Sequence, residues 1–277
     1  PLQLEAFRHV IYKYQTNKYT KPKIVVPILC AFLIGLTIFI FHYNSGSKEI
    51  RSASEAGDIL IFADSQWRVL RVVDNKRLII KEQPLTNTEI GNQGDFYRED
   101  YPNTAFVDFH TKETLESNND AFFLSDSDDG YSHSKLKMVI DYYYKNTLAS
   151  SADYEYILPA SIPNPTFDEV KSQLENPDTA TRLDYEYYTS HNDANLLTNA
   201  SQSGNKQAFA LSVSDIQAIE DNPKLLNFLE PNWFWLRSPG NIFSTGTSVI
   251  DEKLNIVTAT DGGFPIRPAL WVSVYPN

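Results

Sequence analysis

The chain has 277 residues, of which 42% are hydrophobic and 21% are charged, with 11 Gly against 15 Pro. This length allows one large domain or two small ones, and the composition excludes disordered, collagen-like and disulfide-scaffold proteins. Thirty-five acidic residues against 24 basic ones give a net charge of -11. Because a phosphate backbone attracts basic stripes, this balance argues against nucleic acid as a partner.

An apolar segment near the N-terminus predicts a membrane anchor. Residues 24–41 carry no charge, and extension to Tyr43 gives a helix long enough for a hydrocarbon core about 30 Å thick. A secretory signal has a shorter apolar region and a shorter leader, and a buried core helix is the remaining alternative. We therefore expect a single transmembrane helix over 24–43, in contact with the lipid bilayer.

The charges on either side of this span predict its orientation. Residues 1–23 carry five basic side chains and one acidic one, and such segments stay in the cytoplasm. The C-terminal part is then extracellular, and it carries 19 basic and 34 acidic residues. The only cysteine, Cys30, lies within the span, so the exported part has no disulfide and no thiol nucleophile. An exported domain without disulfides is typical of a bacterial surface.

The exported part begins with a polar stretch and then turns to strand patterns. Residues 44–56 are small and polar, which predicts a flexible spacer, so we expect the folded domain over 57–277. Strands are expected over 59–62, 67–73 and 77–81 as an antiparallel meander. Residues 83–130 have weak periodicity and predict a long connection.

Helices and further strands follow in blocks. A helical stripe after Ser134 and capping signals at Thr166 and Ser214 predict three helices. Strands are expected again over 247–251, 255–259 and 266–274. Blocks without regular βαβ alternation predict an α+β fold with a mostly antiparallel sheet and a few helices.

Two motifs near the C-terminus carry a family resemblance. They are Phe234-Trp235-Leu236-Arg237-Ser238-Pro239-Gly240 and Gly263-Phe264-Pro265-Ile266-Arg267-Pro268-Ala269-Leu270-Trp271-Val272. This pair resembles the pattern of the bacterial family known as domain of unknown function 6273, and Trp67-Arg68-Val69-Leu70 is similar to its opening strand. The resemblance covers most of 57–275. The chain departs from the pattern in its longer, more acidic middle and in the Phe-Pro-Ile before Arg267.

The resemblance implies an exported or cell-surface protein of a Gram-positive bacterium. It also implies a fold similar to the formylglycine-generating-enzyme and C-type-lectin-like superfamily. The generating enzymes of that superfamily work through paired cysteines, whereas the exported part of this chain has none. The missing cysteines exclude that particular activity, and the resemblance implies no other.

The two motif arginines are candidates for ligand contact. Arg237 and Arg267 stand among aromatic residues, where two guanidinium groups could clamp a carboxylate or a sugar acid. The alternative is structural: the same groups would bond loop carbonyls and stack on Trp235 or Trp271. The sequence leaves both interpretations open. Ser238 predicts a turn rather than a nucleophile, because no G-x-S-x-G surrounds it.

Clusters of aromatic residues predict a contact surface. Consecutive aromatic side chains cannot all face one core, so some should be exposed, as in surfaces that bind glycans or proteins. The clusters include Tyr142 to Tyr144 and Tyr185 to Tyr188. The candidate ligand-binding residues are therefore Arg237, Arg267, Trp235, Tyr187 and Tyr188.

Metal and cofactor signals are sparse. The acidic run from Asp126 to Gly130 is similar to a calcium loop but lacks its bidentate Glu, so a solvated acidic turn is the alternative. The exported histidines His110, His133 and His191 have no zinc-site spacing. We expect no resident cofactor and no catalytic residue, with calcium as the one ion left open.

These features favour a membrane-anchored, non-catalytic binding or adhesion module on a bacterial cell surface, whose ligand is a glycan or another surface protein. Two alternatives stay open. One is a structural or assembly component of an envelope complex, and the other is an extracytoplasmic glycan hydrolase. Converging carboxylates would favour the hydrolase, exposed tyrosines the binding module, and a large apolar patch the assembly role.

Overall fold

The computed structural model describes residues 49–109, 131–163, 196–220, 222–226, 234–239, 245–250, 253–258 and 263–276. All of them lie within one compact unit, Gly46–Asn277. The strands are β1 (Ile59–Phe62), β2 (Ser65–Val73), β3 (Lys76–Lys81), β4 (Phe106–Val107), β5 (Ala160–Ser161), β6 (Asn199–Ala200), β7 (Trp235–Pro239), β8 (Thr245–Ile250), β9 (Lys253–Thr258), β10 (Phe264–Pro265) and β11 (Ala269–Ser273). The helices are α1 (Lys135–Tyr143), α2 (Val213–Glu220) and α3 (Pro223–Leu226), with a π-helical turn at Tyr144–Leu148 and a 3-10 turn at Tyr154–Tyr156.

The fold is α+β with mostly antiparallel sheets and few helices, as the sequence predicts. Its central sheet has the strand order β1-β2-β3-β11, and each neighbouring pair is antiparallel. The expected meander over 59–81 is confirmed by the pairing of β1 with β2 and of β2 with β3. The C-terminal strand β11 closes this sheet beside β3, with Ala269 opposite Ile80. Smaller sheets pair β4 with β10, β5 with β6, and β7, β8 and β9 in that order.

The central sheet is buried on both faces at β3 and β11, whereas β1 and the end of β2 leave Ile59, Ile61, Val72 and Val73 exposed. One face packs against α1 through residues that include Leu60, Trp67, Val69, Ile79 and Leu270. The other face packs against α2 and α3 through residues that include Leu70, Leu78, Ile80 and Trp271. Because both faces are covered, β3 reads as the continuous apolar run Leu78, Ile79 and Ile80 rather than as an alternating strand.

Helix α1 begins where the sequence predicts. The Ser134 hydroxyl accepts a hydrogen bond from the backbone N–H of Lys137 at 3.0 Å, which caps the first turn. The predicted stripe of Leu136, Val139, Ile140 and Tyr143 is buried. Its spacing of three and four residues places one helix face against the sheet.

The long connection after β3 is held by specific contacts as far as Phe109. Thr86 and Glu89 form a capping box, in which the Glu89 carboxylate accepts from the Thr86 N–H at 2.7 Å and the Thr86 hydroxyl accepts from the Glu89 N–H at 3.2 Å. Further along, Phe96 forms a bridge with Phe106, and the Asp95 N–H donates to the Phe106 carbonyl at 2.8 Å. These hydrogen bonds therefore fix the backbone path of this segment on the rest of the domain.

Ordered packing begins before Gly57, within the stretch 44–56 that the sequence assigns to a flexible spacer. Residues 49–52 are helical, and Ile50 and Ala53 are buried in the core beside α1. Arg51 donates from Nε to the carbonyl of Val274 at 3.2 Å. Ile50 is the only large apolar residue of that polar stretch, and its burial explains why the folded part starts earlier than expected.

The predicted cytoplasmic tail 1–23 and the predicted membrane span 24–43 lie outside the described residues. So do the predicted helix after Thr166, the acidic run 126–130 and the two tyrosines Tyr187 and Tyr188. Among the residues described, no helix combines the length and the hydropathy that a membrane crossing requires.

Candidate functional site

The first candidate residue, Arg237, lies on β7 in the interior of the domain. Its guanidinium donates from Nη1 to the carbonyl of Ala210 at 2.8 Å and to the Asp215 carboxylate at 3.0 Å, and from Nη2 to the carbonyl of Pro163 at 3.1 Å. Neither side chain of the Arg237–Asp215 ion pair is exposed to solvent. Arg237 therefore ties together three separate stretches of the chain.

Asp215, on the first turns of α2, is the centre of this polar network. Its carboxylate accepts from the backbone N–H groups of Thr198 and Ser212 and from the Thr198 hydroxyl, at 2.6 to 3.0 Å. Burial by itself would raise the pKa of Asp215. The Arg237 charge and the hydrogen bonds from Ser212 and Thr198 outweigh that effect and hold the pKa below its usual value. The carboxylate is therefore ionised and fully engaged, which does not suit a general acid.

The second candidate, Arg267, is also buried. It donates from Nε to the carbonyl of Lys81, the last residue of β3, at 3.1 Å and from Nη2 to the carbonyl of the next residue, Glu82, at 2.8 Å. Its guanidinium lies 5.3 Å from the ring centroid of Phe234. Burial lowers the pKa of Arg267 to about 10, while the nearby Glu82 charge opposes that effect, so the group stays charged at neutral pH.

Trp235 lies in the core, with its indole N–H donating to the carbonyl of Val107 at 2.7 Å. Phe109 and Phe264 pack edge-on against its ring, with centroid distances of 5.6 and 4.8 Å. The structure thus brings Trp235 and Arg237 together on β7 as interior residues. Tyr187 and Tyr188 cannot be placed beside them, because they lie outside the described residues.

Both arginines make the hydrogen bonds that the structural interpretation predicts. Their aromatic partners differ from the predicted ones. Both guanidinium groups bond backbone carbonyls, as that interpretation requires. The ring beside Arg267 is Phe234, however, and the arginine over Trp271 is Arg71, at 5.0 Å. The sequence could not identify these pairs because the partners come from distant strands.

The described surface carries a second group of residues that is better suited to contact a ligand. Met138 and Tyr142 lie on the outer side of α1, with 46% and 39% of their surfaces exposed. Tyr97 and Tyr101, in the connection after β3, are 72% and 39% exposed. We call Tyr97, Tyr101, Met138 and Tyr142 the aromatic surface.

Contacts between α1 and the connection hold the aromatic surface in place. Lys135, Met138 and Tyr142 follow one another at helical spacing on α1, and the segment from Gly91 to Asp95 runs beside them. At one end, Lys135 forms an ion pair with Asp95. At the other end, the Tyr142 ring packs on Gly91, where an added Cβ would come within 2.6 Å of the ring. Gly91 also has a φ of +67°, which favours glycine.

The same segment continues directly into the other two members of the aromatic surface. Tyr101 packs edge-on against the buried ring of Phe106, with centroids 6.2 Å apart, and the Arg98 guanidinium lies 5.0 Å from that ring. Tyr97 follows Phe96, whose backbone bridges to Phe106. The ring of Tyr101 therefore packs on a buried residue, whereas Tyr97 is positioned through the backbone of its neighbour.

The aromatic surface can supply stacking faces and phenolic hydroxyl groups with little loss of side-chain entropy, since Tyr has few rotatable bonds. The sequence predicts one residue of the aromatic surface, Tyr142, because it lies in a run of three tyrosines. The sequence gives no signal for Tyr97 and Tyr101, because their segment has no periodicity. Met138 was detectable only as an outward position of the α1 stripe.

No group of His, Cys, Asp and Glu able to hold a metal ion occurs among the described residues. Of His110, His133 and His191, only His133 is described, and it is exposed. Comparison with known proteins adds no assignment: no family model, curated protein or solved structure matches the chain. The resemblance to the domain of unknown function 6273 family therefore stays a prediction.

Proposed function

We propose that this protein is a membrane-anchored, extracytoplasmic binding module of a bacterial cell surface, without catalytic activity, and that it contacts a glycan or another surface protein. The observation that carries the proposal is the aromatic surface. Tyr97, Tyr101 and Tyr142 expose their rings, those of Tyr101 and Tyr142 pack on neighbouring residues, and exposed Tyr is enriched in surfaces that bind partners.

The proposed location rests on the sequence. The apolar residues 24–43 and the basic residues 1–23 support a single-pass anchor with its N-terminus in the cytoplasm. The C-terminal motifs support membership of the domain of unknown function 6273 family of Gram-positive bacteria. A C-type-lectin-like variant of the observed α+β fold belongs to the same proposal.

One observation favours a second role, as an assembly component of an envelope complex. Ile59 and Ile61 on β1 expose 47% and 45% of their surfaces. The hydrolase gains no such observation. The best-defined buried carboxylate, Asp215, is neutralised by Arg237.

The test uses the full chain in detergent micelles, titrated with cell-wall polysaccharides and peptidoglycan fragments, with and without calcium. We expect a saturable change in Trp fluorescence or melting temperature with one of these ligands. The double variant Tyr97→Ala/Tyr142→Ala should weaken that binding about tenfold or more, because truncation of aromatic anchors dominates contact energies. Because Tyr142 also packs on Gly91, the single variant Tyr97→Ala is the one whose melting temperature should stay close to that of the parent while binding weakens.

The matched control is Tyr275→Ala, which removes a tyrosine that is 53% exposed and lies outside the aromatic surface. This variant should bind as the parent does. Equal losses in both variants, or binding that neither changes, would contradict the assignment of the aromatic surface. Steady cleavage of a bound glycan during incubation would show that the protein is a hydrolase instead.

A further inference from the structure

One end of the central sheet brings together three separate parts of the chain. The Val274 N–H donates to the carbonyl of Asn75, in the turn between β2 and β3, at 2.9 Å. Arg77, just after that turn, donates from Nε to the Ala53 carbonyl at 2.9 Å. Arg51 donates from Nε to the Val274 carbonyl at 3.2 Å. The first described segment, the β2–β3 turn and the segment after β11 therefore lie side by side.

Apolar and aromatic side chains are exposed at this end of the sheet. Val72 and Val73, the last two residues of β2, expose 36% and 43% of their surfaces. Successive residues of a strand point to opposite faces, so both faces of the sheet present a valine here. Tyr275 is 53% exposed, and the Arg51 guanidinium lies 5.2 Å from its ring centroid. We call Arg51, Val72, Val73 and Tyr275 the sheet tip.

Hydrogen bonds hold the backbone of the sheet tip. Val73 pairs with Lys76 across the turn, and Asp74 has a φ of +51° within it. The buried Arg77 donates from Nη1 to the carbonyls of Asp74 and Lys76 at 2.9 and 3.0 Å. These bonds fix the turn, so the two exposed valines are a constant feature of the surface.

The sequence places the sheet tip close to the predicted membrane span. That span ends at Tyr43, and five residues separate it from Glu49, the first described residue. Since an extended chain advances at most about 3.6 Å per residue, Glu49 lies within roughly 22 Å of Tyr43. Arg51 of the sheet tip follows two residues later. A retained span would therefore keep the sheet tip near the surface of the bilayer.

The charges around the sheet tip balance. Glu55 is paired with Lys224, so neither adds to the local charge. Three basic and three acidic side chains remain in or beside the tip, namely Arg51, Lys76 and Arg77 against Glu49, Asp58 and Asp74. A lipid contact at this place is therefore apolar and aromatic rather than electrostatic. Tyrosine suits the level of the lipid headgroups, because its ring is apolar and its hydroxyl is polar.

The short link to the span also favours the bilayer over a free partner. A tethered surface meets its target at a high effective concentration, so a small contact suffices. A free protein or a second copy of the chain needs a larger area, because stable interfaces bury about 800 Å² on each side. The sheet tip offers only four side chains.

We propose that the sheet tip docks on the outer leaflet of the bilayer. Val72, Val73 and Tyr275 enter the headgroup region, and the Arg51 guanidinium stays at its aqueous side. The contact determines which surfaces of the domain face away from the cell. This proposal rests on the proposed anchor over 24–43, because only a retained span brings lipid within reach of the tip.

The test uses the full chain in phosphatidylcholine vesicles, with Cys30→Ser and one nitroxide label at a time. Val73→Cys and Tyr275→Cys place the label on the sheet tip. Gln66→Cys is the matched control, since Gln66 is exposed on the same strand, seven residues earlier and about 23 Å away. Paramagnetic resonance measures collisions of the label with a water-soluble nickel complex present on both sides of the membrane. The collision rate at both tip labels should be about half of that at Gln66 or lower, because a lipid contact excludes water.

A second set of variants tests the apolar nature of the contact. Val72→Asp/Tyr275→Asp places two charges on the sheet tip, so it should raise the collision rate at the Val73 label to nearly the Gln66 value. Ile59→Asp/Ile61→Asp is the matched control, because it changes two isoleucines that are 47% and 45% exposed outside the tip. It should leave the rate unchanged, as should partial replacement of the lipid by phosphatidylglycerol.

Three results would overturn the proposal, and they differ in what they imply for the anchor. Equal collision rates at the tip and at Gln66, in a chain that stays in the vesicles, would exclude the docking and leave the anchor intact. Release of the chain by high salt alone would contradict the anchor and the docking together. Dipolar broadening of the Val73 label would place a second copy at the tip instead of lipid.

Discussion

Arg237 and Asp215 lie where neither charge meets water, so each depends on the other and on the hydrogen bonds around them. Removing two ions from water costs several kcal/mol, and their attraction offsets that cost only with good geometry and satisfied partners. Thr198, Ser212 and Ala210 provide such partners. We therefore expect the pair to contribute more to the unique arrangement of these loops than to net stability.

Breaking this pair on one side should be costly. Asp215→Asn leaves the Arg237 charge buried without a counter-ion, and we expect the free energy of unfolding to fall by about 3–5 kcal/mol. Thermal melting followed by near-UV circular dichroism measures the change. Asp95→Asn, which breaks the more exposed ion pair with Lys135, is the control and should cost less than about 1 kcal/mol. Equal losses would show that the buried pair has no special role.

The depressed pKa of Asp215 gives this interaction a pH dependence. Its stabilising contribution is fully present above the pKa of the unfolded chain, about 3.9, and is lost as the pH falls through the lower pKa of the folded state. The difference in melting temperature between the parent and Asp215→Asn should stay constant down to about pH 5 and shrink below about pH 4. A difference that keeps its size at the lowest pH would contradict this cause.

Arg267 should matter for stability rather than for binding. Arg267→Ala removes the donors to the Lys81 and Glu82 carbonyls, and we expect a loss of about 2–4 kcal/mol with unchanged affinity for any ligand of the aromatic surface. Arg267→Lys should not restore the stability, because one ammonium group cannot reproduce the planar fork. A variant that melts like the parent but loses ligand would reverse this assignment.

At this scale the sequence predicts the importance of certain residues but not their partners. Arg237 and Arg267 stand out because of the motifs around them. The partners of Arg267 are 186 and 185 residues away in the chain, and Asp215 is 22 residues from Arg237. Such separations carry no local signal, since the contacts exist only after the sheet has formed.

Among the elements, those with a strong local pattern were predicted almost to the residue. β1 spans Ile59–Phe62 as expected, and α1 starts after its Ser134 cap. β7 was not predicted as a strand, because Phe234, Trp235, Leu236, Arg237 and Ser238 are all buried and show no alternation. The helix at 49–52 was not predicted, because its only large apolar residue, Ile50, cannot form a periodic pattern.

The β1–β2 turn offers a stabilising substitution. Ala63 and Asp64 have φ values of +48° and +58°, a two-residue turn with both residues in the left-handed region. Asp64→Gly should raise the free energy of unfolding by about 0.5–1 kcal/mol, because glycine adopts this conformation without steric cost. Asp64→Ala removes the same charge without that freedom, so it should not melt above the parent. A gain in both variants would point to the charge instead.

For the whole molecule, we predict that the chain crosses the bilayer once, with its N-terminus in the cytoplasm. A reporter fused before Pro1 should be protected inside intact cells, whereas added protease should reach the domain that follows the predicted span. Deletion of 24–43 should release the protein into the soluble fraction. Release of the parent chain by high salt alone would contradict an anchor that crosses the membrane, since salt removes only surface-bound proteins.

The contact of Arg51 with Val274, just after β11, also determines where new chain ends can be introduced. Arg51 donates to the Val274 carbonyl at 3.2 Å, and its guanidinium lies 5.2 Å from the Tyr275 ring centroid. The chain therefore enters and leaves the domain at neighbouring points, which is the arrangement that circular permutation requires. A short linker could join these points, and new ends could open at the exposed Gly204, where no other atom lies within 4 Å of an added Cβ.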